Sequence, residues 1–108
     1  MEFNEYQKKS QYELIAGNYP ELMYTTLALT GEAGEIADKV KKIYRDEGGI
    51  VSQEKRQDIT REMGDLLWYM GRLAIHLGVS FDDVARENLE KLSKRTSRGT
   101  LSGAGDNR

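Results

Sequence analysis

Cysteine is absent from this 108-residue chain, and proline and histidine occur once each. Without cysteine there are no disulfides and no thiolate metal sites, and a reducing compartment is permitted. A single proline, Pro20, leaves room for long uninterrupted helices. The lone His76, with no Glu-x-x-His pair anywhere, disfavours a di-iron carboxylate bundle. No apolar run is long enough to span a bilayer, and the start Met1-Glu2-Phe3-Asn4-Glu5 lacks a basic-then-apolar signal pattern. The expected setting is therefore the cytoplasm, with no membrane partner. A basic excess is missing too: the net charge of −2 gives no reason to expect a nucleic-acid polymer as partner. A chain of this length suffices for one domain burying roughly two-thirds of its unfolded surface.

What the sequence does have is acid in unusual places. Glu32-x-x-Glu35 and Glu62-x-x-Asp65 sit inside otherwise apolar helical stretches. The i, i+3 spacing puts both members of a pair on one helix face, with Cβ atoms roughly 5–6 Å apart. Two such helices packed together bring four carboxylates around one small volume, where like charges raise pKa values or require a counter-ion. Hard divalent ions, Mg²⁺ or Mn²⁺, prefer such oxygen ligands and tolerate them beside water and substrate phosphates.

The core faces follow from periodicity. Ile59, Met63, Leu66, Met70, Leu73 and Leu77 form one apolar stripe, flanked by Asp58, Glu62, Asp65, Tyr69, Arg72 and His76. Leu29, Ala33, Ile36, Val40 and Ile43 form the other, flanked by Ala28, Glu32, Glu35, Lys39 and Lys42. Gly31, Gly34 and Gly64 interrupt these helices at about 1 kcal/mol each relative to alanine. Two readings explain them: ordinary tight helix packing, or close backbone approach that brings opposing carboxylates to shared ions.

Four helices are expected, all-α and antiparallel in a four-helix bundle-like arrangement, with no strand pattern. The first spans 3–17 and ends near Gly17-Asn18; the second spans 20–45, stopping before Glu47-Gly48-Gly49. The third follows an N-cap at Ser52 and runs to His76 or Leu77, closed by Gly78. The fourth opens with Ser80 and Asp83 and lasts to about Thr96. Residues 1–96 then make the domain, and glycine-rich 97–108 reads as a frayed tail or as a lid carrying Arg98 and Arg108. Leu67, Trp68, Tyr69, Ala74 and Ile75 extend the third helix's apolar surface beyond one stripe, which a homo-oligomer would bury.

Three runs carry a family resemblance: Leu27-Ala28-Leu29-Thr30-Gly31-Glu32-Ala33-Gly34-Glu35-Ile36-Ala37-Asp38, then Glu62-Met63-Gly64-Asp65-Leu66-Leu67-Trp68-Tyr69, then Asn88-Leu89-Glu90-Lys91-Leu92-Ser93-Lys94-Arg95. Together they resemble the MazG-like nucleotide pyrophosphohydrolases of the all-α NTP pyrophosphatase superfamily, whose mark is E-x-x-E, a variable spacer and E-x-x-D. The spacer here, 36–61, is 26 residues. E-x-x-E alone is weak, since charged helices produce it constantly; the ordered set of three is strong.

The resemblance implies Mg²⁺-dependent hydrolysis of a nucleoside triphosphate between the α- and β-phosphates, giving monophosphate and pyrophosphate, with Mn²⁺ as a substitute ion. It implies Glu32, Glu35, Glu62 and Asp65 as metal ligands, and Asn88, Lys91 and Arg95 as phosphate contacts. Arginine's planar fork and lysine's point charge suit that role. Glu35 is the expected residue to orient or deprotonate the attacking water. It also implies a homodimer or a tetramer built from dimers.

Bland readings compete at several positions. Tyr6, Gln7, Tyr24 and Trp68 are candidates for contacting a base, although aromatics at helical spacing more often serve core or interface. Asp38 and Asp58 are either outer ligands or solvated helix charges, and Lys39 and Lys42 are read first as partners of nearby acids. His76 reads as a helix-end packing residue. Two other functional classes stand beside the enzyme: a nucleotide-sensing, catalytically weak regulatory bundle, and a purely structural helical oligomer.

Overall fold

The structure, a computed structural model, describes residues 1–14 and 16–99. Four helices carry the described chain, α1 (Phe3–Lys9), α2 (Glu21–Asp46), α3 (Gln53–Leu77) and α4 (Phe81–Arg98), with no strand among the described residues. The fold is all-α.

Helix ends follow local chemistry. Ser52 caps α3 by accepting from the Lys55 N–H at 3.2 Å, and Ser80 caps α4 by accepting from the Asp83 N–H at 3.3 Å. At the far end of α3, Gly78 takes a left-handed φ of 70°, and the Val79 N–H reaches back to the Ala74 carbonyl at 3.0 Å. The α2–α3 turn needs glycine for two reasons at Gly49. Its φ is 79°, and a Cβ there would stand 3.0 Å from the Tyr44 ring.

The first helix stops at Lys9, eight residues before the expected end. Beyond it, backbone carbonyls that a longer helix would use internally are taken by α3 side chains: the Ser10 carbonyl accepts from Trp68 Nε1–H at 2.8 Å, and the Tyr12 carbonyl accepts from Arg72 Nη1 at 3.3 Å. Residues 10–14 and 16–20 are thus not helical, and the Gly17 turn with φ of 62° lies among them rather than closing α1. Seven residues are too few for a self-supporting helix, so α1 depends on what it docks against. Phe3 and Tyr6 meet the Phe81 ring at centroid distances of 5.0 and 6.4 Å, and Phe81 and Tyr6 cover the buried Gly71.

α2 and α3 pack along one another in antiparallel sense: Lys39 meets Glu62 near one end and His76 meets Glu21 near the other. Between the helices, Ile43, Thr25 and Ala74 are buried. By contrast α4 packs against α1 and α3 but not against α2. A compact chain of this length has a radius of gyration of about 13 Å, whereas this one measures 16.8 Å. One chain therefore brings four helices together without closing an apolar core around all of them. Leu27 and Leu89 stay 62% and 68% exposed.

Candidate functional site

At the α2–α3 interface, Glu32 faces Glu62 and Asp65. One carboxylate oxygen from each lies within 4.8 Å of the others. The helix period explains the geometry: Glu62 and Asp65 stand one turn apart on α3, beside the stripe that packs on α2, and Glu32 holds the matching position on α2. The three carboxylates are therefore assembled by helix pairing alone.

Electrostatics records the crowding. The Glu32 carboxyl is pushed above its ordinary range, first by burial, then by the hydrogen bond it shares with Glu62, and then by the charges of Asp65, Glu62 and Glu35. Phenols ring the same volume. Tyr6 is raised by burial and then by Asp65, and Tyr69 by burial, Tyr24, Glu32 and Asp65. From α2 a cation reaches in: Lys39 Nζ lies 3.6 Å from Glu62 Oε1, both side chains being largely shielded from water.

Glu35 is set apart. It is exposed and lies outside the convergent group, although its charge is felt at Glu32. Asn88 and Lys91 are exposed and line a separate groove on α4 with Val84 and Glu87, while Arg95 is buried, 4% exposed. The groove that Asn88 and Lys91 line includes none of Glu32, Glu62 and Asp65.

Among the base-contact candidates, Gln7 has other commitments: its amide donates to the Val79 carbonyl at 3.1 Å and accepts from the Phe81 N–H at 3.0 Å, holding the start of α4. Trp68 gives its N–H to the Ser10 carbonyl, meets Tyr69 edge-on at 5.1 Å and lies under the Arg72 guanidinium at 5.7 Å. Tyr6 and Tyr24 are half-buried beside the acids. Tyr69 also lies beside the acids, as its place on the stripe after Glu62 and Asp65 signals.

Asp38 and Asp58 take the solvated alternative. Asp38 is paired with Lys42 at 2.7 Å and Lys41 at 2.9 Å, which hold its carboxyl down to about 2, and Asp58 is paired with Arg61 at 2.8 Å. Gly31, Gly34 and Gly64 do not serve contact between α2 and α3, because a Cβ at any of them would meet nothing within 4 Å. Both packing explanations of these glycines fail inside one chain.

Three carboxylates with raised proton affinity at Glu32 make a donor set that fits a hard divalent cation. No helix of the described residues is long and apolar enough to cross a membrane.

Comparison with known proteins gives two relatives. A "Gene 37 protein" of Mycobacterium phage L5 is 52% identical over 87 residues, covering 81% of this chain and 76% of that protein. An "Uncharacterized protein YvdC" of Bacillus subtilis (strain 168) is 40% identical over 72 residues, covering 62% of this chain and 68% of that protein. No solved structure matches the chain significantly. The MazG nucleotide pyrophosphohydrolase domain matches residues 21–99, a span that includes both acidic pairs and all of α4, and on that match the chain belongs to the MazG nucleotide pyrophosphohydrolase family.

Proposed function

We propose that this protein is a Mg²⁺-dependent nucleoside triphosphate pyrophosphohydrolase acting in nucleotide-pool control or house-cleaning. The carrying observation is the convergence of Glu32, Glu62 and Asp65 within 4.8 Å at a helix interface. These three would hold the ion, with Glu35 joining from the exposed edge of α2. When bound, Mg²⁺ supplies charge neutralisation for the triphosphate and lowers the pKa of water.

The chain's own residues do the rest. Glu35 orients the attacking water and accepts its proton, Lys91 and Arg95 offset charge gathering on the departing pyrophosphate, and Asn88 donates to a phosphate oxygen. The water oxygen bonds to the α-phosphorus as the α–β bridging P–O bond breaks, giving monophosphate and pyrophosphate. Tyr6, Tyr24 and Trp68 offer ring surface for a base beside the acids.

Asn88 and Lys91 line a groove in which none of the three converging acids takes part, and Leu27, Met63 and Leu89 are exposed. Both features support a homo-oligomer, a dimer or a tetramer of dimers, as the working form. An apolar groove of about 300 Å³ between Leu29, Met70, Leu73, Phe81 and Val84 supports the same reading. A cysteine-free chain suits the reducing cytoplasm.

The test is pyrophosphate release across canonical and damaged nucleotides, with Mg²⁺ and with chelator. Metal-dependent release is expected. Nucleotide binding without release would replace hydrolysis by nucleotide sensing.

A further inference from the structure

We infer that Lys39 is a built-in counter-ion of the acidic centre and sets how tightly that centre takes a divalent cation. The inference rests on the reading of Glu32, Glu62 and Asp65 as metal ligands and adds a residue that neither the motif nor the family match singles out. Lys39 stands one turn beyond Glu35 on α2, where a lysine at i+4 ordinarily pairs with the acid on its own helix. Here the ammonium instead crosses the helix interface, with Nζ 3.6 Å from Glu62 Oε1, and both side chains are mostly covered, at 28% and 20% exposure. An ion pair so placed is screened less than a surface pair. It leaves the three-carboxylate cluster with one fixed positive charge.

That charge opposes metal whichever way it responds. If the ammonium leaves Glu62 when the cation arrives, binding must break the ion pair. If it stays, a positive charge remains a few ångströms from a doubly charged ion. Both routes weaken metal affinity, and both let the metal-free protein keep α2 and α3 together despite the crowded acids. Lys39 is thus a positioning residue that exchanges metal affinity for stability of the empty site.

Calorimetric titration of the full chain with Mn²⁺ alone, without nucleotide, at pH 8 tests this. Lys39→Met should bind Mn²⁺ on the order of tenfold more tightly, melt at a lower temperature without metal, and gain more in Tm on adding it. Lys39→Gln should shift in the same direction, and Lys39→Arg should stay at the wild-type values. Wild-type binding with K39M and K39Q unchanged or weaker, in protein of normal helical content, overturns the role of Lys39 and leaves the metal site standing. A wild-type chain that takes up no Mn²⁺ overturns the metal site and this inference together.

Discussion

The α2–α3 pair and the α4 region are built by different means. α2 and α3 lie side by side over their length, with buried Ile43, Thr25 and Ala74 between them and acids from both helices meeting at one point. The start of α4 is fastened by polar latches and by one ring. Asn4 Oδ1 accepts from Ser80 Oγ at 2.7 Å and from the Asp82 N–H at 2.9 Å, Gln7 holds Phe81 and Val79, and the Phe81 ring seats between Phe3 and Tyr6. From Val84 to Arg98 the helix runs largely exposed, apart from buried Arg95. Pairing two amphipathic helices forms the acidic centre within a single chain. Polar latches at one end, by contrast, place a helix without covering its apolar face, and Val84 and Leu89 stay exposed within the chain.

The sharpest break in the comparison is at the acids. Glu62→Gln should lower Mg²⁺-dependent turnover by at least about 100-fold, because even residues that merely support a metal ligand commonly cost 10–100-fold. Circular dichroism should show the helices intact, and retained turnover would remove Glu62 from the site.

Next comes packing. Ile43, at 1% exposure, has nowhere to relax, so Ile43→Ala should cost about 2–5 kcal/mol in denaturant unfolding. Leu89→Ala should change the stability of dilute, dissociated chain by less than about 0.5 kcal/mol and instead weaken association measured by sedimentation. Equal losses at the two positions would show that α4 is as enclosed as α2.

The latch gives a smaller effect. Gln7→Ala removes two hydrogen bonds at the start of α4 and should cost about 1 kcal/mol. Hydrogen exchange should quicken in α1 and α4 while the α2–α3 amides keep their protection. Uniform quickening would mean that the two regions open together.

The smallest effect is electrostatic and confined to α2. Lys42 and Lys41 depress Asp38 from 3.8 to about 2. A depressed carboxylate binds fewer protons folded than unfolded, so its contribution is present above about 4 and is lost as the pH falls toward 2. Asp38→Asn should flatten that part of the stability profile slightly, since the pair is exposed to solvent. An unchanged profile would show that the pairing adds nothing to stability.

Much of this architecture was legible in the residues. Ser52, Ser80 and Gly78 announce helix ends because each satisfies backbone groups within a few residues of itself, and such local chemistry needs no knowledge of the fold. The spacing of Glu62 and Asp65 likewise guarantees a shared face on any helix. The length of α1 was not legible. Its apolar pattern continues past Lys9, and the groups that end it, Trp68 and Arg72, are about sixty residues away in sequence. Gln7 reads as a free amide until Val79 and Phe81 are placed beside it. The glycines next to the acids suggested tight packing between α2 and α3, yet they face open space within the chain.

By itself, then, the sequence determined the all-helical character, the caps and the two acid-bearing faces, because periodicity and capping are properties of neighbours in the chain. Only the tertiary structure decided that Glu32 joins Glu62 and Asp65 while Glu35 stays outside. Only it decided that Lys39 turns to the opposite helix and that Asn4 and Gln7 latch the start of α4. Those outcomes depend on the rotation and offset of one helix against another, which distant side chains set jointly.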